Sequence, residues 1–330
     1  MIHISILVPL GRCSVANIES SYQILSEVNS VLEAQQRNSL FKIELVGNGD
    51  QIPQRDDQFM VAPDRHLDEV PHTDLILIPS LQGEIPHMLD ANRELVPWIR
   101  KHYHQGASVA SLCLGAFLLA DTGLLDGKQC TTHWKWAETF RKMYPGIELR
   151  DEKIITEDGR IFTSGGAFSY LNLLIYLVEK YAGRDMAVAI AKAYAIEMNR
   201  PGQSAFMIFE GQKAHKDEKI KMAQEFIEKG FREKISVGQL ADMTAISRRS
   251  FERRFKKNTG NTVVEYIQRI KIEAAKRDFE SSDKTINEVI SDVGYIDSKA
   301  FRTIFKRITG FTPMEYRNKF NRQVLEEEVE

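Results

Sequence analysis

Two groups of residues carry chemistry in their types and spacing. Cys113 lies in ASVASLCLGAF, where an apolar strand pattern gives way to a helical one, with small Ser111, Gly115 and Ala116 around it. A thiol on such an elbow sits at a helix N-terminus, where the thiolate is favoured and backbone N–H groups can hold an anion. His133, twenty residues on in CTTHW, is a candidate base for it. The alternative for a cysteine in an apolar strand is a small core residue. The second group lies between Arg248 and Asn258, where Arg249, Glu252, Arg253 and Lys256 recur at i, i+3, i+4, i+7 opposite Phe251 and Phe255. A helix of this kind packs on its phenylalanines and shows Arg249, Glu252, Arg253 and Lys256 on the face that could meet the edges of DNA bases. For a lone basic helix, a solvated face explains the same pattern.

The 330 residues are 43% hydrophobic and 27% charged, which excludes disorder and collagen-like structure and leaves room for two domains. The longest nearly uncharged apolar stretch, Ala107 to Ala120, is shorter than the roughly 20 residues that cross a bilayer, so no membrane span is expected. MIHISILVPLG lacks a basic n-region and reads as a first buried strand, implying a cytoplasmic protein. Cys13, Cys113 and Cys130 match neither a zinc site nor a disulfide framework; Cys13 and Cys130 are expected to be structural, and no metal or cofactor is implied. The formal net charge of −2 hides opposed halves. Residues 1–214 hold 20 Lys and Arg against 26 Asp and Glu, a balance of −6, and residues 215–322 hold 24 against 16, a balance of +8. The last eight residues, QVLEEEVE, return −4. An acidic region precedes a basic one that suits nucleic acid.

The elements that position these residues follow from periodicity. ISILVPL, FKIELVG, DLILIPS, ASVASLC and IFTSGG are apolar strand patterns alternating with helical ones such as SYQILSEVNSVLEAQ and LVPWIRKHYHQG. Such alternation predicts a parallel-sheet α/β sandwich, flavodoxin-like in plan. YLNLLIYLVEKYAG predicts a closing helix with a glycine stop. The expected organisation is an α/β domain over 1–200, a linker over 201–218, an all-helical domain over 219–320 and an acidic tail over 321–330.

The helical domain is an internal repeat. The segment from Phe251 to Tyr266 and the one 50 residues on, Phe301 to Tyr316, share eight of sixteen residues, against roughly one expected from average usage. Each copy reads as helix, tight turn, helix; Ser247 is the expected N-cap of the first recognition helix, and Ser298, Lys299, Arg302 and Thr303 are exposed for DNA in the second. VGYIDSKAFRTIFKRITGFTPMEYR, ending in Gly310, Pro313, Tyr316 and Arg317, resembles the AraC/XylS family of transcription regulators over about residues 219–320. The resemblance implies that Arg248, Arg249, Glu252, Arg253, Ser298, Lys299, Arg302 and Thr303 read double-stranded operator DNA. The chain departs from that family in Ile290, where a small alanine is usual, and in Ile296, where a polar residue is common.

SLCLGAFLLADTGLLDGK followed by TTHW resembles the class I glutamine-amidotransferase-like superfamily, the PfpI-type proteins, and within it the branch fused to AraC-type domains, over about residues 2–183. Active relatives face the cysteine with an acidic residue after the first strand; here Asn17 takes that place, with Glu19 two residues later. An amide cannot exchange a proton with the thiol, so catalysis is not expected and a ligand pocket lined by Asn17, Gly83, Cys113 and His133 is. The resemblances imply a homodimeric transcription regulator controlled by a small metabolite such as an amino acid or quaternary amine, working with RNA polymerase if it activates. The rival reading is a Cys-dependent hydrolase or glyoxalase-like enzyme using Cys113 and His133.

Overall fold

A computed structural model describes residues 1–55, 57–198 and 202–321. It divides into two compact units, Met1–Gln203 and Ser204–Glu330.

The first unit runs β1 (Ile2–Leu7), α1 (Val15–Ala34), β2 (Phe41–Val46), a small ribbon of β3 (Ile52–Gln54) and β4 (Phe59–Val61), then β5 (Leu75–Ile78), α2 (Ile85–Ala91), α3 (Leu95–His104), β6 (Ser108–Ser111) and α4 (Gly115–Asp121). Then come β7 (Gln129–Cys130), α5 (Ala137–Met143), β8 (Glu148–Leu149), β9 (Ile155–Asp158), β10 (Ile161–Ser164), α6 (Tyr170–Ala182) and α7 (Arg184–Ala193). The main sheet has the order β2-β1-β5-β6-β10-β9 and is parallel except at β9, an antiparallel edge strand joined to β10 through Gly159. Strand β5 shows why the sheet is covered on both sides. Leu75 and Leu77 enter the core built with α1, α6 and α7, while Ile76 and Ile78 enter the core built with α2 to α5. Period-2 alternation with every position apolar means two buried faces, each such side chain contributing about 1.5–3 kcal/mol. Helix α6 ends at Gly183, as expected of its glycine stop.

The second unit is helical: α8 (Glu218–Gly230), α9 (Val237–Met243), α10 (Arg248–Thr259), α11 (Val263–Ser281), α12 (Ile286–Asp292), α13 (Ser298–Thr309) and α14 (Pro313–Phe320). All but the exposed Lys256 of the residues identical in the two copies fix its geometry. Phe251 and Phe255, like Phe301 and Phe305, are fully buried ring pairs. Thr259 and Thr309 each donate to the phenylalanine carbonyl one turn back, at 2.8 Å in both copies. Gly260 and Gly310 take the left-handed C-cap. Glu265 and Glu315 close capping boxes with Thr262 and Thr312. The hydroxyls of Tyr266 and Tyr316 donate to Glu228 and Glu280 at 2.9 and 2.5 Å.

Part of the stretch expected to link the domains packs on the second unit. Helix α11 buries an ion pair, Lys276–Glu273 at 3.1 Å, with Lys276 only 4% exposed. The backbone of the incoming chain completes it: Lys276 Nζ donates to the Met207 carbonyl at 2.5 Å, and the Phe209 N–H donates to Glu273 at 3.2 Å. Phe209 then packs edge-on against Tyr266.

The two helix-turn-helix turns differ in one respect. Gly294 (φ +74°) and Ala245 (φ +50°) occupy the same left-handed position, but a Cβ on Gly294 would collide with the Arg232 carbonyl, whereas Ala245 is exposed. Gly294→Ala is therefore expected to cost at least ~2 kcal/mol, and Ala245→Gly to lie within about 1 kcal/mol of neutral. Urea midpoints of the two variants check this; shifts of equal size and opposite sign would show that backbone strain alone sets the cost.

Candidate functional site

The recognition surface grows from the repeat. Helices α10 and α13 turn their phenylalanines inward, and Arg248, Arg249, Glu252, Arg253, Ser298, Lys299, Arg302 and Thr303 are all exposed. Arg248 lies 3.4 Å from Glu252 one turn on, and the Thr303 hydroxyl donates to the Lys299 carbonyl at 3.0 Å, so these two side chains have partners of their own on the helix. Arg254, beside the expected contacts, belongs to the scaffold. It makes a two-pronged pair with Asp217, the N-cap of α8, at 2.8 and 3.0 Å. Ile290 is buried in the core of the second copy and Ile296 is fully exposed. Ser247 starts α10, as expected, but its side chain makes no capping bond; in the second copy Asp297 accepts from the N–H groups of Lys299 and Ala300.

In the first unit Cys113 sits on the elbow between β6 and α4 with φ +54°, a conformation few non-glycine residues adopt. Gly115 makes the elbow possible, since a Cβ there would lie 2.5 Å from the Ile78 carbonyl and 2.8 Å from that of Pro79. Hydrogen bonds clamp the elbow. Cys113 N–H donates to Ser164 Oγ at 3.3 Å, Thr132 Oγ1 donates to the Cys113 carbonyl at 3.0 Å, and Leu114 N–H donates to Ser80 Oγ at 3.3 Å. Asn17, 2% exposed, accepts from Ser80 N–H at 3.0 Å and so holds the residue that holds the elbow.

This geometry corrects the expectation for the thiol. Burial pushes Cys113 up to about 11, and the hydrogen bonds from Ser80 and Leu114, which act the other way, do not offset it. Desolvation of the thiolate outweighs the helix N-terminus when the residue is only 5% exposed. Burial likewise pushes Cys13 and Cys130 up to about 12, in keeping with structural roles.

His133 is half-buried and follows Thr132, so its loop is tied to the elbow. Its Nδ1 accepts from Lys135 N–H at 3.1 Å, and no hydrogen bond joins it to Cys113 among the described residues. Burial, then Lys135, lower its pKa, which keeps the imidazole neutral. Gly83 (φ +110°) is exposed on the turn into α2, and Met88 is its neighbour. The structure thus brings Asn17 and Cys113 together through Ser80, ties His133 to them through Thr132, and leaves Gly83 outside this set of hydrogen bonds. Trp136 packs on the core beside α3 to α5, and Trp134 lies against the His133 ring. Sequence reasoning missed Ser80, Ser164 and Thr132. Their only signal was a small polar residue at the end of β5, β10 and the TTHW turn, where strand ends face the elbow.

No described helix is long and apolar enough to cross a membrane. Residues 22–180 match the DJ-1/PfpI family, and residues 240–319 match a helix-turn-helix domain. The HTH-type transcriptional regulator GbdR of Pseudomonas aeruginosa (strain UCBPP-PA14) is 24% identical over 262 residues, covering 79% of this chain and 70% of that protein. An isonitrile hydratase of Pseudomonas putida is 30% identical over 127 residues, covering 38% of this chain and 54% of that one. Among solved structures, a putative transcriptional regulator protein from Vibrio parahaemolyticus aligns with a TM-score of 0.52 and 25% identity, over 59% of this chain and 99% of that one. The chain thus carries a DJ-1/PfpI match ahead of a helix-turn-helix match, and over most of its length it is similar to an HTH-type transcriptional regulator.

Proposed function

We propose that the chain is a sequence-specific DNA-binding transcription regulator whose N-terminal unit responds to a small metabolite and pairs two copies of the chain. One observation carries the reading: two copies of a recognition helix expose all eight candidate base-reading residues while burying their phenylalanines. Helix α11, 19 residues and so about 28 Å long, joins the copies and suits successive major-groove contacts on one face of DNA. The balance of +8 over residues 215–322 supplies the attraction to phosphate. Effector binding shifts regulation through differential affinity for two arrangements of the DNA-binding units, and activation would proceed through RNA polymerase.

The enzyme reading is the weaker one. A buried Cys113 thiol near 11 holds a thiolate share on the order of one in ten thousand at neutral pH. Asn17 supplies an amide where acid–base chemistry asks for a carboxylic acid. The alkylation rate of Cys113 in the intact protein, followed by mass spectrometry, is therefore expected to climb with pH up to 10 without levelling. A plateau near pH 7 would restore the nucleophile.

For DNA, Arg253→Ala is expected to cost about 1–3 kcal/mol at one base position and relax preference there, measured by competition among operator variants. A uniform loss across sequences would make Arg253 a phosphate contact. Arg254→Ala is expected to leave base preference unchanged while lowering the urea midpoint by about 1 kcal/mol equivalent, through loss of the Asp217 pair.

A further inference from the structure

Gln203, the last residue of the first unit, is 1% exposed, and its side chain lies in a slot beside the Cys113 elbow. Its Nε2 donates to the Thr132 carbonyl at 2.9 Å, the Lys153 carbonyl at 3.1 Å and Thr131 Oγ1 at 3.4 Å. Thr131 Oγ1 spends its own proton on the Lys153 carbonyl at 2.9 Å, so it too faces the slot as an acceptor. One wall is Gly165, where any Cβ would strike the Gln203 amide. The slot shares its supports with the elbow: Thr132 holds the Cys113 carbonyl, and Ser164, next to Gly165, holds the Cys113 N–H.

The amide is a poor match for this slot. Three acceptors converge on a nitrogen that has two protons, and the Oε1 atom is buried with no hydrogen-bond partner among the described residues. Turning the amide over would set its oxygen against two carbonyls, so the mismatch cannot be relieved by rotation. A buried acceptor without a donor is a standing penalty, and it falls on the occupant rather than on the slot. A primary ammonium group has three N–H donors and no acceptor, which is the complement of what the slot presents.

We propose that this slot is a binding site for a primary ammonium group, and that such a ligand enters by displacing the Gln203 side chain that closes it. The proposal rests on the reading of the first unit as the sensing unit and narrows its effector class. A quaternary amine has no N–H to give and is excluded from the slot, whereas an amino acid or a diamine qualifies. Displacement also frees the backbone at the point where the chain passes from Gln203 to Ser204, the first residue of the second unit. Regulation by the ligand then needs no chemistry at Cys113.

The test uses the full chain with propylammonium chloride and, at the same concentration and ionic strength, tetramethylammonium chloride. In the unsubstituted protein, propylammonium is expected to speed hydrogen exchange of the amides from Gly202 to Phe206 and to raise the melting temperature of the first unit by on the order of 2–4 °C. Tetramethylammonium is expected to do neither. In Gln203→Ala the internal competitor is gone, and half-maximal stabilisation by propylammonium should need roughly tenfold less amine. Equal effects of the two cations, unchanged exchange with propylammonium, or identical titrations of the two proteins would each overturn the proposal. Fluorescence anisotropy of labelled duplex DNA with the full chain, without amine, tests the regulatory reading separately. A chain that shows the amine effects but no DNA binding keeps the slot and loses the regulator.

Discussion

Burying a charged pair inside a helical bundle requires every remaining hydrogen-bonding valence of that pair to be met, because an unmatched buried ion costs several kcal/mol. Lys276 and Glu273 on α11 impose this demand at the centre of the second unit, on the helix that belongs to both copies of the repeat. The backbone of residues 207–209 supplies one further bond to each partner, so the entering segment is part of the fold of this unit. Tyr266 and Tyr316 complete the arrangement from the ends of the two copies by donating to Glu228 on α8 and Glu280 on α11. Between them these polar contacts set the register of α8, α11 and α14, and the phenylalanine pairs fill the space that is left.

The first unit solves a different problem with similar means. A residue at positive φ between a strand and a helix exposes backbone donors that reactive proteins use, and here the donors are consumed internally. Ser80 and Ser164 take the N–H groups of Leu114 and Cys113, and Thr132 caps the Cys113 carbonyl. A strained elbow tied down on all sides is a stable wall for a binding site.

Much of this organisation was legible in the residues themselves. The alternation of strand and helix patterns led to the sheet, since a strand such as LILI can only be buried on both faces. The repeat led to the recognition helices, and its shared phenylalanines, threonines, glycines, glutamates and tyrosines prove to be the packing and capping groups. What escaped depended on partners remote in sequence. Arg254 carries no assigned role on the helix until Asp217, 37 residues away, is found paired with it. Cys113 looks activated by its helix until the depth of burial is known, and Gln203 looks like part of a linker until Thr131, 72 residues earlier, is found beside it.

The unequal starts of the two recognition helices bear on how a duplex would be gripped. Asp297 fills the first turn of α13 with its own carboxylate, so that end offers a phosphate neither free donors nor a favourable charge. The first turn of α10 has no side-chain cap, and the N–H groups following Ser247 remain available to an anion, with Arg248 and Arg249 beside them. The duplicated motifs are therefore not two equal hands. The leading helix keeps a first turn without a side-chain cap beside two arginines, and the trailing one is self-capped and flanked by the exposed side chain of Ile296.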